Sequence, residues 1–451
     1  MNVKVSVIIP ALNVVSYIRE CLDSVISQSM RELEILCVDA GSTDGTREIL
    51  EEYAQKDTRI TVLDSCIKSY GKQINIGLDS ASGDYIAILE SDDWAAKDMY
   101  QCLYDHALKD AVDYAVADFD TFFRLQSGSA YYVRHRQFDV TRQDWYGRVL
   151  NSDEIATLRA SDYVLWKGIY KRQFLEENHI RLHESPGAAF QDMGFLQQVK
   201  TYAKRAKYLD QSFYRYRQGR EDASSNKLDG LRFYKEEFEW IDEELRLTGI
   251  LNEVHKKYFY LTMSISLITK YEQILSRMKG DWRDRRLSGP YHWFREQVTE
   301  AVQSGLLEQT MYTQDRWERL QLLLASQEAH AQLVMDMQKA KSARVQEFQS
   351  MIKRRSIVIF GCGMRGERLM LFCHENSMRM YCFCDNNKAL HGQKKFGYPV
   401  IAPSVLNREL VEQDAVVVLS MREGIEQVRT QLTSMGIDAD RIVDRIPEHC
   451  I

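Results

Sequence analysis

No stretch of this sequence comes near the 18 or more apolar residues that a membrane-spanning helix requires, so a chain embedded in a bilayer is not expected. The opening MNVKVSVIIP alternates and then runs apolar too briefly for a signal peptide or a span. The nine cysteines have neither a metal-ligand spacing nor that of a disulfide framework, and the nearest pair, Cys382 and Cys384, lies inside an apolar strand-like run. They read as reduced, structural thiols of a cytoplasmic protein. A basic surplus is missing too: the formal net charge is -6, which argues against a nucleic-acid partner. Neither an internal repeat nor a low-complexity tract is found. What is there, 451 residues with 45% hydrophobic and 27% charged content, is ordinary globular protein with length for about two to four domains.

Residues 1–115 alternate strand and helix signals. Val3–Ile9 reads as a strand, Ile18, Leu22, Val25 and Ile26 share a helical face, and Leu33–Val38 reads as a second strand. A helix opens at Asp44 with Ile49, Leu50 and Tyr53 on one side, followed by strand Ile60–Leu63, a helix over 70–81 and strand Tyr85–Leu89. Repeated βα units make a parallel sheet covered on both faces, and ligands of such sheets bind beyond the carboxyl ends of the strands. Asp39, Gly41 and three carboxylates within four residues, Glu90, Asp92 and Asp93, fall there. Like charges about 4 Å apart repel by roughly 4 kcal/mol at an effective dielectric near 20, so the cluster asks for a cation. Oxygen ligands suit Mg²⁺ or Mn²⁺, which suit phosphate-bearing substrates. An isolated Asp-Asp would read instead as a turn and a helix cap.

From about 112 to 225 the pattern is mixed and rich in aromatics. Residues 226–352 turn helical and end in a polar stretch without Gly or Pro, which reads as one long exposed spacer helix. Only Val345, Phe348 and Ile352 keep a coiled-coil spacing in it. A new strand-and-helix unit starts at Ser356. The expected division is therefore 1–226, 227–353 and 354–451, with the helical part forming the acceptor side or a homo-oligomer contact.

An ordered series of motifs runs through the first half of the chain: VSVIIPALN with Pro10 and Asn13, SVISQSMRELEILCVDAGSTDGT, then Gly71, Asn75 and Gly77, and ASGDYIAILESDDW. VLWKGIYKRQFLEE, GAAFQDMGF and YRYRQGREDASSN follow. In this order, over residues 1–226, the chain resembles the family 2 glycosyltransferases of the GT-A fold. The resemblance implies transfer of a sugar from a nucleotide-sugar donor, UDP-linked, to a hydroxyl of a bacterial glycan or lipid-linked acceptor. It implies inversion at the anomeric carbon and dependence on Mn²⁺ or Mg²⁺, since the diphosphate leaving group needs a divalent ion and the attacking hydroxyl needs a base.

By the same resemblance Asp92 is the metal ligand, Glu90 faces ribose or a water of the metal shell, and Asp93 lends charge or caps the next helix. Glu90 stands where the family has Asp. Asp39 is the carboxylate for the uracil N3–H, beside Ala40 where the family usually has a second Asp. Asp192 is the general base, with Gln191 in place of the family's Glu; as a plain structural residue it would cap the following helix. Pro10, Asn13, Gly41 and Asn75 join the donor site. Lys72, Lys167 and Arg217 are the basic groups for diphosphate. Trp94, Trp166 and Tyr216 can stack on sugar or base, although aromatics beside strands are commonly core. Ser224 and Ser225 belong to a loop over the donor.

The last hundred residues carry IVIFGCGMRGERLM, in which Gly361, Gly363 and Gly366 separate a strand from a helix. Asp385 ends the next strand, Met380–Cys384, 19 residues beyond Gly366. That context fits a dinucleotide fingerprint and a small Rossmann-like domain resembling those appended to bacterial sugar-modifying enzymes. It reads as a positioning or regulatory unit, or as a second nucleotide site.

The fold class expected is α/β: a GT-A N-terminal domain, a helical middle and a small Rossmann-like domain. Two other readings stay open. One is an NAD-dependent sugar-modifying oxidoreductase working through the C-terminal fingerprint; the other is a degenerate, non-catalytic transferase scaffold, suggested by Ala40, Glu90 and Gln191. A lipid-linked acceptor would bring transient contact with the inner face of a membrane.

Overall fold

The computed structural model describes residues 2–188, 190–218, 228–248, 252–421, 423–444 and 446. The chain divides into two compact units, Met1–Phe122 with Val133–Val334, and Phe123–Tyr132 with Met335–Ile451.

The first unit opens with the alternation the sequence predicts: β1 Val5–Ala11, α1 Ile18–Ile26, β2 Leu33–Asp39, α2 Thr46–Lys56, β3 Ile60–Asp64, α3 Tyr70–Ser80 and β4 Tyr85–Ile88. β5 Trp94–Ala95, α4 Met99–Asp110, β6 Tyr114–Arg124, β7 Ala130–His135, β8 Val149–Leu150 and α5 Ser152–Thr157 come next. β9 Gly168–Lys171, α6 Arg172–Glu177, α7 Gln191–Tyr202 and β10 Ala206–Arg217 complete the sheet region. The strands lie in the order β3-β2-β1-β4-β9-β6-β10-β5, with β7 beside β6 and β8 beside β10. The β3 to β4 half is parallel, and β9 runs antiparallel to both β4 and β6.

Every residue of β1 and β4 is buried, as expected of central strands covered on both faces. Each buried Val or Ile there stabilises the fold by roughly 1.5–3 kcal/mol. Pro10 is tolerated in β1 because β4 ends at Ile88, opposite Ile8, leaving Pro10 matched only to Val38 of β2. Ile18, Cys21, Leu22 and Val25 form the buried stripe of α1. α3 sits so close to the sheet that a Cβ on Gly77 would lie 2.5 Å from Ile8 Cγ2.

Four helices follow in the same unit: α8 Gly230–Thr248, α9 Glu253–Arg277, α10 Arg285–Gln303 and α11 Gln314–Ala325. Phe238, Phe259, Leu267, Tyr271, Phe294 and Leu320 build their core, which Met193 of α7 joins. The long polar stretch is one helix, α12 Gln327–Met351.

The second unit contains β11 Ser356–Phe360, α13 Met364–Glu375, β12 Met380–Cys384, β13 Lys394–Lys395, β14 Tyr398–Ile401, α14 Pro403–Glu412, β15 Ala415–Leu419, α15 Ile425–Ser434 and β16 Ile442–Val443. Its sheet order is β13-β14-β12-β11-β15-β16, parallel except for β13 against β14. The α/β class is thus observed, with a large and a smaller sheet. The segment Phe123–Tyr132 packs within this unit, where Ser127 Oγ donates to the Phe396 carbonyl at 2.9 Å and the Phe123 ring stacks on His374 at 4.9 Å. Among the described residues, no helix is long and apolar enough to cross a membrane.

Candidate active site

The carboxyl ends of β1 and β2 are tied together by one side chain. Gln73 of α3 donates from Nε2 to the Ala11 carbonyl at 2.9 Å and to the Val38 carbonyl at 2.7 Å. Asp39 ends β2 almost fully buried, and its carboxylate accepts from the Gly41 amide at 3.2 Å and from Ser42 Oγ at 2.6 Å. Arg47 Nη1 stands 3.9 Å away. Gly41 makes the turn with a φ of 79°, which a side chain would strain. Asn13, itself at a φ of 55°, accepts from the Thr43 amide at 2.9 Å and so closes the β1 loop onto the β2 loop.

Beyond β4 lies the carboxylate cluster. Tyr70, the first residue of α3, donates its hydroxyl to Glu90 Oε1 at 2.5 Å. Close packing, with the negative charges of Asp92 and Asp192 added to it, pushes the Glu90 carboxyl up to about 8. Asp93 is buried; its Oδ2 accepts from the Tyr214 hydroxyl at 2.9 Å and its Oδ1 from the Arg217 amide at 2.7 Å. Burial and then Asp92 hold the Asp93 carboxyl well above the usual range. Asp92 is only partly buried, and its carbonyl accepts from Arg217 Nε at 2.8 Å.

Asp192 arrives here from a distant part of the chain. It lies in the first turn of α7 and is partly exposed, and its Oδ1 accepts from the Met193 amide at 2.9 Å. Crowding by protein pushes its carboxyl up to about 6. Neighbouring Gln191 is buried and pins the preceding loop, donating to Ser185 Oγ at 2.9 Å and the Gly187 carbonyl at 3.2 Å. That loop is held in turn by α3: Asn75 exchanges hydrogen bonds with the Leu182 backbone at 2.9 and 3.0 Å. A Cβ on Gly71 would fall 2.0 Å from the His183 carbonyl oxygen, so the loop can lie this close only over glycine.

The three basic groups are engaged by the protein itself. Lys72 Nζ reaches Glu184 Oε1 at 3.2 Å, and Arg217 pairs with Glu20 while its guanidinium lies 4.7 Å from the centre of the Phe122 ring. Lys167 is buried, with Nζ 2.7 Å from Asp162 and 2.8 Å from Gln137. Trp166 is also buried and stacks on Tyr214 at 4.0 Å and Tyr216 at 5.2 Å. Trp94 packs edge-on to Phe122 at 6.1 Å. Ser224 and Ser225 lie outside the described residues.

Tyr70, Tyr214 and Glu184 escaped the sequence reading. Tyr214 shares the Tyr-x-Tyr period of β10 with Tyr216, which was the available signal; Tyr70 and Glu184 have none, because their partners are 20 and 112 residues away.

Among the described residues no group of three or more His, Cys, Asp and Glu side chains is gathered to hold a metal ion. One carboxylate is nevertheless a fitting protein share for Mg²⁺ or Mn²⁺, which commonly take one or two carboxylates and complete their shell with water and substrate phosphates. Asp92, partly buried in the cluster beyond β4 and the ligand that the family resemblance implies, is the carboxylate that would supply that share.

In the second unit the glycines behave as a fingerprint demands. Gly361 has a φ of 107°, Gly363 has nothing within 4 Å of a Cβ position, and a Cβ on Gly366 would lie 2.0 Å from the Gly361 carbonyl oxygen. Asp385, however, accepts from the Cys362 amide and the Asn387 amide, each at 2.8 Å. Both its oxygens therefore serve the local backbone.

Comparison with known proteins accords with this geometry. Residues 6–200 match the model of glycosyl transferase family 2, and residues 353–443 match the one described as C2185-like, N-terminal. Glycosyltransferase GlyA of Streptococcus pneumoniae serotype 4 is 30% identical over 222 residues, 48% of this chain and 30% of that protein. The uncharacterized glycosyltransferase YibD of Escherichia coli K12 is 33% identical over 218 residues, 47% of this chain and 61% of that one. The chain thus spans less than two thirds of either relative's length. In structure, S. aureus TarS 1–349 in complex with UDP-GlcNAc superposes with a TM-score of 0.57 at 20% identity, covering 75% of this chain and 92% of that one. The ordered motifs, the sheet and these matches agree on a glycosyl transferase family 2 domain at residues 6–200, with a GT-A fold.

Proposed function

We propose that this protein is an inverting glycosyltransferase that moves a sugar from a UDP-linked donor to a hydroxyl of a glycan or lipid-linked acceptor. One observation carries the reading. Helix α3 serves both carboxylates: Tyr70 at its start donates to Glu90 Oε1 at 2.5 Å, and Asn75 holds the Leu182 backbone, at 2.9 and 3.0 Å, in the loop that leads to Asp192. A structural cap would have no need of that neighbourhood.

In the proposed reaction Asp192 accepts the proton of the acceptor hydroxyl as its oxygen attacks the anomeric carbon and the bond to the diphosphate breaks. A base near pH 6 is deprotonated at neutral pH and still basic enough to help. Asp92 is the residue that would hold Mn²⁺ or Mg²⁺, and the ion supplies positive charge for the departing diphosphate. Asp39, Pro10, Asn13, Gly41 and Asn75 shape the nucleotide side, and the UDP-GlcNAc complex of TarS supports uridine as the base. Membrane contact, where the acceptor is lipid-linked, would be peripheral.

The test is hydrolysis and transfer with UDP-sugars and Mn²⁺, comparing wild type with Asp92→Ala and Asp192→Asn. Loss of turnover by a factor of about 10²–10⁴ in Asp192→Asn, with UDP binding kept, is expected. Ordinary turnover in both variants would remove both assigned roles.

A further inference from the structure

The helical part of the first unit contains a cavity of about 850 Å³ where α8 and α10 begin, lined by Asp229, Arg232, Asp284, Arg285, Arg286 and Pro290. Three guanidiniums face two carboxylates in that lining. The run from 277 to 286 concentrates the excess: Arg277, Lys279, Arg283, Arg285 and Arg286 stand against Asp281 and Asp284, a surplus of three in a chain of net charge -6.

Nearby carboxylates absorb only part of this charge: Arg283 stands 3.7 Å from Glu328. Asp284 caps α10 through the Arg286 amide at 2.9 Å and takes the Arg286 guanidinium at 2.6 and 3.0 Å, so it offsets one arginine. Arg232 is exposed, pairs with Glu236 across one helical turn and lies 4.4 Å from the centre of the Phe233 ring. Arg285 is exposed and makes no hydrogen bond or ion pair among the described residues.

The cavity is connected to the candidate base through packed side chains. Phe190 precedes α7, two residues from Asp192, and its ring lies 4.2 Å from Tyr234 of α8. Lys270 Nζ sits 4.7 Å from the centre of the same ring. A Cβ on Gly230 would come within 2.4 Å of Lys270 Cε, and Gly230 adjoins Asp229 of the cavity wall. A base must face the acceptor, so the elements reached from Asp192 through Phe190 and α8 belong to the acceptor's side.

We propose that this cavity binds a phosphate ester carried by the acceptor of the transfer reaction. The inference rests on the glycosyltransferase reading above. Each guanidinium offers five N–H donors in a planar fork, so Arg232 and Arg286 keep donors to spare beyond their bonds to Glu236 and Asp284, and the whole Arg285 fork is added to them. The three terminal oxygens and up to two charges of a phosphate monoester match these donors. A volume of about 850 Å³ leaves room for the chain that bears the phosphate.

The experiment uses the full chain with glycerol 3-phosphate as probe and glycerol as the neutral control, at one fixed ionic strength because exposed charges are screened by salt. Arg232→Glu with Arg285→Glu is the test variant, both side chains being at the surface; Arg286 is left intact because it helps cap α10. Wild type is expected to bind glycerol 3-phosphate and not glycerol, and the double variant at least about tenfold more weakly, with UDP binding and UDP-sugar hydrolysis unchanged. Arg232→Lys with Arg285→Lys should keep part of the affinity. No binding by wild type, or equal binding by wild type and the Glu variant, would overturn the proposal. So would charge-dependent binding to phosphatidylglycerol vesicles without binding of the soluble probe, which would make the patch a membrane contact. UDP-sugar hydrolysis reports separately on the transferase reading: its absence, with probe binding intact, would sink that reading and leave this cavity an anion site.

Discussion

The Tyr70 hydroxyl donates to Glu90 Oε1 at 2.5 Å, joining the start of α3 to the carboxylate cluster beyond β4. This bond favours the ionised carboxylate, opposing the burial that raises Glu90. Tyr70→Phe should therefore push the Glu90 carboxyl above its present value of about 8, leaving the site more protonated at neutral pH. Its acid limb of activity should move to higher pH, and more Mn²⁺ should be needed for half-maximal rate. The fold should lose only about 0.5–1.5 kcal/mol. A pH–rate profile at several Mn²⁺ concentrations checks this; a profile superimposable on wild type would remove Tyr70 from the site.

Asp192 is raised from an ordinary 3.8 to about 6. As a base it works deprotonated, so with Mn²⁺ saturating, kcat should fall as pH drops through about 6. The same shift has a consequence for stability. A carboxyl whose folded pKa lies above its unfolded value favours the fold when protonated and loses that contribution as pH rises from about 4 to 6. Asp192→Asn, neutral at every pH, should thus raise the melting temperature at pH 7.5, corresponding to roughly 1–3 kcal/mol, while cutting turnover by about 10²–10⁴. The gain should vanish near pH 4, as thermal melts across that range would show.

The strands and helices of the first ninety residues are legible because continuous apolar runs and a 3.6-residue period survive wherever both faces of a sheet are covered, as in β1 and β4. Glu90, Asp92 and Asp93 were legible as a charge anomaly. Their proton donors were not: Tyr214 lies more than 120 residues from Asp93, and no local pattern encodes a contact of that kind. Lys167 shows the opposite failure. Sequence shows a cation at a motif position but not its burial against Asp162. Likewise Asp385 has the spacing of a ribose ligand, and only the structure shows that the neighbouring amides take up its oxygens.

The glycines of the second unit make a contrasting pair. Gly366→Ala would drive a methyl to 2.0 Å from the Gly361 carbonyl oxygen, a backbone atom that cannot swing aside. It should destabilise the second unit by more than about 2 kcal/mol. Gly363 has a φ of -75° and open space around it, so Gly363→Ala should change the melting temperature by little. Gly363→Val separates packing from ligand binding: loss of any measured UDP or NAD binding without a change in melting would give that glycine a ligand to accommodate.

Asp162 is the counter-charge for two buried lysines, 2.7 Å from Lys167 Nζ and 3.5 Å from Lys200 Nζ. Removing its charge strands both ammonium groups in the interior, so Asp162→Asn should destabilise the first unit by about 3–5 kcal/mol. Burial already pulls Lys200 down to about 8, and Asp162 is the charge that resists this. Without it the folded state sheds protons more readily than the unfolded chain, whose lysines ionise near 10.5. Stability of Asp162→Asn should consequently begin to climb with pH already below about 8, where wild type is still flat, and go on climbing toward 10. Lys167→Met should be milder, because it leaves Asp162 paired with Lys200, and its KM for a UDP-sugar should stay at the wild-type value. A raised KM with an unchanged melting curve would instead return Lys167 to the donor site.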